Sequence, residues 1–295
     1  MKNANRIHSD EIVMFMSELL SLTKPRVVLM VLITTFGGYY LAGGEIGELR
    51  FWLTLAGVAL SAGGTMALNQ FMESDIDRQM KRTMHRPLPS GRMHPMTALV
   101  FGCVITIVGL LILWRGVNYQ SMIITTLIVI GYLLVYTPLK RKSPYSSIWG
   151  SIPGALPPVI GWVAVRGEIQ AVAILLFAIL FFWQLPHLLA ISWIYRRDYS
   201  RAGIKVFPVV DPSGHSTAKI VIAGCLLLAL TFCFSYRIIH PNHWHLLIAL
   251  LLTGVYFTYG WQFARQKTNK SARRLLLTSY LYLPAILLTE LLFLV

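Results

Sequence analysis

Long, uninterrupted runs of apolar residues constrain this chain more than any other feature of its sequence. A helix of about 20 apolar residues is long enough to cross the hydrocarbon core of a bilayer. Only 13% of the residues are charged, whereas soluble domains carry about 25%. We therefore expect an all-α membrane protein in which residues 25–295 form one nine-span domain behind an N-terminal tail, residues 1–24. The predicted spans lie at about residues 25–44, 51–72, 95–115, 119–138, 147–165, 169–194, 217–236, 244–263 and 275–294.

The basic residues are divided very unequally between the two sides of this predicted bundle. Of 26 Lys and Arg residues, 22 fall near the N-terminus and in segments 73–94, 139–146, 195–219 and 264–274. The other four are Arg50, Arg115, Arg166 and Arg237. Because positive residues concentrate in cytoplasmic loops, we expect the N-terminus in the cytoplasm and the C-terminus outside. Topology thus explains the net charge of +14 with the lipid bilayer as partner, and we expect no nucleic-acid binding.

The first 23 residues do not resemble a targeting segment. They contain Asp10, Glu11 and Glu18 and lack a clean apolar core before a small-residue cleavage site, so we expect no cleavable signal. Acidic residues also argue against a mitochondrial presequence, and a bacterial inner membrane fits best. The three cysteines all fall inside predicted spans at spacings that match no metal motif, so we interpret them as small apolar residues.

Scarce acidic residues cluster at the end of the second predicted span. Asn69, Glu73 and Asp77 are spaced by four, so on a helix they share one stripe, whereas Asp75 points elsewhere. Two carboxylates and an amide supply the hard oxygen ligands that Mg²⁺ prefers, with water and substrate phosphates completing its shell. Acidic groups at membrane depth are costly and usually functional. The stripe therefore predicts a magnesium site.

Basic residues around this stripe predict a diphosphate site. Lys81, Arg82 and Arg86 follow it directly and would hold phosphate oxygens that the metal leaves free. The cations after spans 4 and 6 have two interpretations, since they either set the topology or reach the same diphosphate; they are Lys140, Arg141, Arg196 and Arg197. Asp198, the one acid among those last cations, is a further candidate metal ligand or a partner of an arginine.

The stripe and several further motifs together resemble the UbiA superfamily of intramembrane prenyltransferases. The pattern Asn-x-x-x-Glu-x-x-x-Asp at 69–77, followed by Arg-Thr and Arg-Pro-Leu, is similar to the first signature of that family. The resemblance implies nine helices around a central cavity that binds Mg²⁺-diphosphate. Further motifs that carry it are Leu22-Thr-Lys-Pro-Arg26, Tyr136-Thr-Pro-Leu-Lys140-Arg141, Gly154-Ala-Leu-Pro-Pro-Val-Ile-Gly-Trp162, Trp183-Gln-Leu-Pro-His187 and Asp198-Tyr-Ser-Arg-Ala-Gly203.

Four features depart from the pattern of the family. Gln70 stands where many members have Asp, and Glu73 replaces the next Asp. The second acidic motif of the superfamily is reduced here to Asp198, so phosphate contact by the neighbouring cations is favoured over a second metal. Ser146-Ser147 stands near a position where related sequences often carry Asn.

Within the family, the motifs are most similar to a branch that uses a haem acceptor. The resemblance implies transfer of a farnesyl group from farnesyl diphosphate to a vinyl group of haem B, with addition of water, giving haem O. It implies catalytic roles for Asn69, Glu73, Asp77 and Lys140. It also implies haem contacts for His187 and Trp183, since the imidazole of His187 suits iron; the alternative for His187 is a hydrogen-bonded core residue. A haem A synthase or a terminal oxidase is then a candidate partner for the product.

Two other functions remain as alternatives. One is prenylation of an aromatic quinone precursor, against which the Pro-His pair at 186–187 and the reduced second acidic motif argue. The other is a transporter, which would predict inverted repeats and charge at mid-depth. Neither feature is evident in the sequence, because the acids cluster at the edge of the bundle.

Other features favour structural roles. The histidines at 240, 243 and 245 are interpreted as an outer interfacial loop, and Glu290 as an interfacial residue. Irregular backbone at Gly150, Pro153, Gly154 and the Pro157-Pro158 pair indicates that span 5 lines a cavity. The pairs Gly37-Gly38 and Gly63-Gly64 predict close helix packing.

Overall fold

The computed structural model describes residues 2–239 and 242–293, with side chains from residue 11 onward. All regular structure in these ranges is helical, which confirms the all-α class. The helices are α1 (Lys2–Leu22), α2 (Pro25–Leu41), α3 (Leu49–Met72), α4 (Ser74–Asp77), α5 (Pro95–Gly116), α6 (Tyr119–Ile130), a π-helical segment (Gly131–Tyr136), α7 (Thr137–Leu139), α8 (Ser146–Ala155), α9 (Pro157–Arg166), α10 (Ala171–Ile194), α11 (Arg196–Arg201), α12 (Phe207–Val210), α13 (His215–Ile239), α14 (His243–Gln266) and α15 (Asn269–Phe293).

The chain is a membrane protein with many spans. In the described part of the chain, eight helical segments are long and apolar enough to cross a bilayer, and nine when α1 and α2 count as one bent span. The segment predicted as a tail is therefore helical, and it meets α2 at a bend of 51°. Lys24 adopts the left-handed conformation there with φ 50°, and Pro25 follows without a backbone N–H donor, so the helix cannot continue through the junction.

The regular α-helix is interrupted in span 4 and in span 5. Span 4 widens into a π-helical turn at 131–136, where the Thr137 backbone N–H bonds to the carbonyl of Tyr132. Such insertions in α-helices are frequent at functional sites. Span 5 breaks at Leu156, since Pro157 and Pro158 cannot supply the N–H groups of a continuous helix.

Glycines set the closest helix contacts. A Cβ atom at Gly38 of α2 would lie 1.9 Å from the Pro158 carbonyl oxygen, and one at Gly64 of α3 would lie 2.6 Å from the Gly102 carbonyl oxygen. Only glycine permits these approaches, so close packing at Gly38 and Gly64 is confirmed. The α2–α9 and α3–α5 pairs built in this way frame one half of the bundle.

The other half of the bundle is built from α10, α13, α14 and α15. These four helices share one apolar core that includes Leu189, Leu228, Phe263 and Ile286, each fully buried. Contacts of α10 with α8 and α9, and of α15 with α2, join the two halves. The ends of α3 and α10 thereby meet at one end of the bundle.

Two loops cover that end. Ile76 and Met80 after α3 pack against Ile204 and Val206 after α11 in a small buried cluster. The Lys205 backbone N–H also donates to the carbonyl oxygen of Lys140 at 2.8 Å. The loops therefore hold each other and the end of span 4 in place above the cavity described below.

At the opposite end of the bundle, the predictions for Glu290 and for His245 are wrong. Glu290 is not interfacial but only 3% exposed, and its Oε1 lies 3.1 Å from Nε2 of the fully buried His245. The reason is that α14 already begins at His243, so His245 lies on the inward face of a helix instead of in a loop. His240 lies outside the described residues.

Candidate functional site

A cavity of about 140 Å³ lies beneath the two covering loops, where α3, span 4, α8 and α10 converge. Its lining is mostly polar, which is unusual inside a membrane bundle and indicates function. The polar side chains come from Lys24, Asn69, Glu73, Asp77, Arg82, Arg86, Tyr132, Tyr136, Lys140, Ser146, Ser147, Ser192 and Tyr199.

The predicted stripe of ligands lines this cavity. Asn69, Glu73 and Asp77 are buried, with exposures of 2%, 4% and 0%. The helix breaks at Glu73, between α3 and α4, yet the Glu73 N–H bonds to the Asn69 carbonyl and the Asp77 N–H to the Glu73 carbonyl. These bonds preserve the four-residue spacing, so all three side chains reach one space. Asp75 is exposed and points away, as the spacing predicts.

Each member of the stripe contacts a cation from a different part of the chain. Arg86 Nη1 donates to Asp77 Oδ2 at 2.6 Å, and Lys140 forms an ion pair with Glu73. Lys24 Nζ donates to Asn69 Oδ1 at 3.2 Å. Each of the two buried carboxylates is thus paired with a cation, which offsets much of the cost of removing it from water, whereas Lys24 meets an uncharged amide.

The oxygen atoms of the stripe fit a hard divalent cation. Asp77 lines the cavity, and its Oδ1 is buried without a hydrogen-bond partner, so no protein group uses the lone pairs of this oxygen. Asn69 Nδ2 donates to Thr137 Oγ1, which fixes its Oδ1 toward Lys24 and the cavity. Among the side chains that the structure describes, no three His, Cys, Asp or Glu residues come close enough together to hold a metal alone. A cation bound here would need oxygens from substrate or water, which is the usual arrangement for Mg²⁺.

Gln70 follows Asn69 in the sequence but does not belong to the stripe and contacts a different part of the chain. Its Nε2 donates to the carbonyl oxygen of Leu22 at 2.9 Å, at the last turn of α1. The side chain is 1% exposed and turned away from the cavity. The glutamine that departs from the family pattern therefore supports the α1–α2 junction, which in turn positions Lys24.

Two tyrosines of the π-helical segment line the cavity and were missed in the sequence. The rings of Tyr132 and Tyr136 lie 5.1 Å apart, and Lys140 Nζ lies 5.6 Å from the Tyr136 ring centre. The signal was present, because Tyr132, Tyr136 and Lys140 repeat the four-residue spacing of the acidic stripe. Lys24 was also missed as a site residue, although it lies in a motif that carries the family resemblance.

Arg82 is held at the mouth of the cavity by two aromatic rings. Its guanidinium lies 4.9 Å from the ring centre of Tyr195 and 5.1 Å from that of Tyr199. It also donates a 2.9 Å hydrogen bond to the Tyr199 hydroxyl. Burial raises the pKa of Tyr199 above its ordinary value, so this hydroxyl stays neutral.

Five predicted contacts do not reach the cavity. Lys81, Arg141 and Arg197 are exposed. Arg196 donates to the Trp193 carbonyl and to Asn269 Oδ1, both at 2.6 Å, and Asp198 forms an ion pair with Arg201. Their assignment to metal and diphosphate stays a prediction, with geometry that favours indirect electrostatic roles.

The predicted haem contacts also lie away from the cavity. His187 Nδ1 and Ser279 Oγ are 2.7 Å apart, and the Trp183 indole donates to the Ser279 carbonyl at 3.1 Å. Both rings therefore face α15, whereas Leu188 and Ile191 of the same helix line the cavity. A haem role for His187 and Trp183 stays a prediction that requires the porphyrin to approach from the α15 side.

Span 5 contributes to the cavity through its first turn. Ser146 and Ser147 line it, and the Ser146 hydroxyl is buried without a hydrogen-bond partner. Farther along, a Cβ at Gly154 would lie 2.5 Å from Gln184 Oε1 of α10, so this glycine serves helix packing. The prediction for span 5 thus holds for its beginning.

Solved structures with this fold include a digeranylgeranylglyceryl phosphate synthase and UbiA homologues. A digeranylgeranylglyceryl phosphate synthase aligns with TM-score 0.79 at 17% identity, covering 94% of this chain and 97% of that one. A UbiA homologue from Archaeoglobus fulgidus, bound to GPP and Mg²⁺, aligns with TM-score 0.60 at 15% identity over 92% and 99% of the two chains. At such identities the likeness establishes the fold.

Sequence comparisons establish the family. A protoheme IX farnesyltransferase of Solibacter usitatus (strain Ellin6076) is 42% identical over 92% of this chain and 96% of its own length. One from Myxococcus xanthus (strain DK1622) is 37% identical over 90% and 91%. The model of the UbiA prenyltransferase family matches residues 31–283. This chain therefore belongs to the UbiA prenyltransferase family.

Proposed function

We propose that this enzyme transfers the farnesyl group of farnesyl diphosphate to a vinyl group of haem B, with addition of water, giving haem O. The observation that carries the proposal is a buried cavity in which Asn69, Glu73 and Asp77 face four cationic side chains. Relatives called protoheme IX farnesyltransferase that match about nine-tenths of the chain support haem as the acceptor.

Asn69, Glu73 and Asp77 would hold Mg²⁺ together with the diphosphate. When bound, the ion would neutralise phosphate oxygens and stabilise the leaving group. The unused Oδ1 of Asp77 supports this assignment, because a buried carboxylate oxygen without a partner needs a ligand.

Lys24, Arg82, Arg86 and Lys140 would bind the diphosphate. Lys24, Arg86 and Lys140 already contact the acidic stripe. Substrate phosphates would therefore bind cations that are in position before the substrate arrives. Preorganised positive charge is most effective where negative charge develops, here on the departing diphosphate. Lys81, Arg141, Arg196 and Arg197 would add to the positive potential at the mouth, and Asp198 would orient Arg201.

The allylic fragment would lie against Tyr132, Tyr136, Leu188 and Ile191. The bond between C1 and the diphosphate oxygen breaks with its electron pair leaving on the oxygen. The vinyl π electrons then form the new carbon–carbon bond, and water adds to the resulting cation with loss of a proton. Aromatic faces stabilise the positive charge on carbon, while apolar neighbours keep water from capturing it early.

A direct assay tests the proposal. Membranes containing the enzyme are incubated with haem B, farnesyl diphosphate and Mg²⁺, and the porphyrin is followed by mass spectrometry. A haem that has gained a farnesyl group and a hydroxyl group is expected. If haem B stays unchanged while 4-hydroxybenzoate is prenylated, the enzyme acts on quinone precursors and the proposal fails.

We also propose that residues 25–295 form one domain in a bacterial inner membrane, with the N-terminus cytoplasmic and the C-terminus outside. The unequal division of Lys and Arg supports this orientation. Reporter fusions at the C-terminus test it: alkaline phosphatase should be active there and green fluorescent protein dark. Transfer of the product to a haem A synthase or a terminal oxidase is proposed as the next step.

A further inference from the structure

A second basic feature lies outside the candidate site, at the end of α14 and the beginning of α15. A groove of about 690 Å³ runs between these helices. It is lined by Tyr259, Trp261, Gln262 and Arg265 of α14, and by Arg274 of α15. None of these residues lines the cavity of the candidate site, so the groove is a separate feature.

The groove has a positive charge that the protein itself does not neutralise. The sequence contains no Asp or Glu between Asp211 and Glu290, although the 264–274 connection carries five Lys and Arg residues. Within the part of the chain whose side chains are described, no carboxylate oxygen lies within 4.0 Å of Arg265 or Arg274. The described part of the chain therefore supplies no counter-charge to these two exposed arginines, which are available to an external anion.

Trp261, one of the two aromatic residues of the groove, is suited to the membrane surface. The Arg265 guanidinium lies 5.7 Å from the ring centre of Trp261, whose side chain is 48% exposed. Exposed tryptophans concentrate at the level of lipid headgroups, where an apolar ring and a polar edge are both satisfied. The two arginines would thus lie at headgroup depth.

Below the groove the same face of α14 becomes apolar. Leu247, Leu251 and Val255 follow at four-residue spacing and are exposed by 46%, 62% and 54%. Positions 258 and 262 continue this row into the groove. The α14 face therefore presents an apolar track that leads to Arg265, and Arg274 of α15 lines the same groove. This arrangement matches an amphiphile better than a free ion.

We propose that this groove binds an anionic phospholipid, with its phosphate between Arg265 and Arg274 and an acyl chain along Leu251 and Val255. Basic pockets between transmembrane helices are known to bind acidic headgroups, and each cation near the surface strengthens such binding about fivefold. The lipid would offset part of the positive charge of the α14–α15 connection and fasten these two helices together.

The test uses the full-length enzyme in nanodiscs that contain phosphatidylcholine with a small fraction of phosphatidylglycerol. Native mass spectrometry counts the lipids that stay bound to the enzyme after it is released from the nanodisc. The wild-type enzyme should retain phosphatidylglycerol selectively, and the double variant Arg265→Gln/Arg274→Gln should bind it about 30-fold more weakly. Arg273→Gln is the matched control, because Arg273 is exposed on the same turn but does not line the groove.

Three outcomes would overturn the proposal. They are equal retention of phosphatidylglycerol and phosphatidylcholine, an equal loss in the Arg273 control, and displacement of the lipid by millimolar inorganic phosphate, which would indicate a site for free phosphate. If the double variant does not fold, the single variants Arg265→Gln and Arg274→Gln each serve, with an expected loss of about fivefold. Retention equal to wild type in both would also refute the proposal.

Discussion

Asp77 receives a hydrogen bond from Arg86 through one carboxylate oxygen, while its other oxygen is buried without any hydrogen-bond partner. The pair is therefore half satisfied. Arg86 holds the carboxylate in a fixed orientation and leaves one oxygen free for a ligand.

The free oxygen predicts the effect of Asp77→Asn. An amide is a weaker ligand for Mg²⁺ and leaves Arg86 without its counter-charge, so turnover should fall by about 10²-fold or more. Turnover is measured as haem O formation across a Mg²⁺ titration. The neighbouring Asp75→Asn is the control, since Asp75 is exposed, and it should stay within about twofold of wild type. Equal losses in both variants would contradict the ligand role of Asp77.

Lys140 and Arg141 are adjacent in sequence but differ in surroundings. Lys140 lines the cavity and pairs with Glu73, whereas Arg141 is exposed. Lys140→Gln should reduce kcat by about 10²-fold through lost stabilisation of the leaving diphosphate. Arg141→Gln should change kcat less than about threefold, since an exposed charge is screened. A comparable loss at Arg141 would show that the whole cationic turn binds substrate.

The ring of Tyr136 should matter more than its hydroxyl group. Tyr136→Phe keeps the aromatic face in the cavity, and its kcat should stay close to that of wild type. Tyr136→Leu removes the face, and loss of a cation–π contact of about 1–2 kcal/mol predicts a fall of about 5- to 30-fold. Steady-state rates of both variants check this. If Tyr136→Phe lowers kcat as much as Tyr136→Leu does, the hydroxyl group is responsible for the effect instead of the ring.

Close packing at Gly38 predicts a stability effect that is independent of the chemistry. In Gly38→Ala the new Cβ would overlap the Pro158 carbonyl, and overpacking of this kind costs about 1–3 kcal/mol. Thermal unfolding in detergent should show a lowered Tm. Gly47→Ala is the control, because nothing lies within 4 Å of a Cβ there, and its Tm should be unchanged.

His187 can be tested separately from the cavity. Its ring bonds Ser279 and stacks on Trp183 at 5.1 Å. His187→Ala should therefore lower the Tm, through loss of a bond of about 1 kcal/mol and of packing, while the KM for farnesyl diphosphate stays unchanged. A large increase in the KM for haem without a change in Tm would instead support the predicted haem contact.

The sequence predicted those features that depend on periodicity. Apolar runs located the spans, and four-residue spacing placed Asn69, Glu73 and Asp77 on one stripe even though the helix breaks at Glu73. The backbone hydrogen bonds carry the helical spacing across the break, so the three side chains stay on one stripe.

The features that the sequence did not reveal depend on how distant segments meet. His187 and Leu188 are neighbours in the chain, and only the packing of α10 against α15 decides that the first faces away from the cavity. The spacing of Tyr132 and Tyr136 is visible in the sequence, but the π-helical form of the turn that carries them is not. Glu290 was placed at the membrane surface because its buried partner, His245, lies 45 residues away.

The junction between α1 and α2 has a practical consequence. Two successive residues of α3 fasten it, since Asn69 accepts a hydrogen bond from Lys24 and Gln70 donates one to Leu22. Deleting the first 22 residues to shorten the protein for crystallisation would strand the Gln70 amide in a buried position and release the backbone that orients Lys24. A shortened protein that lacks α1 would thus have an altered cavity, although no α1 side chain that the structure describes lines it. A purification tag is better added before α1 than in place of it.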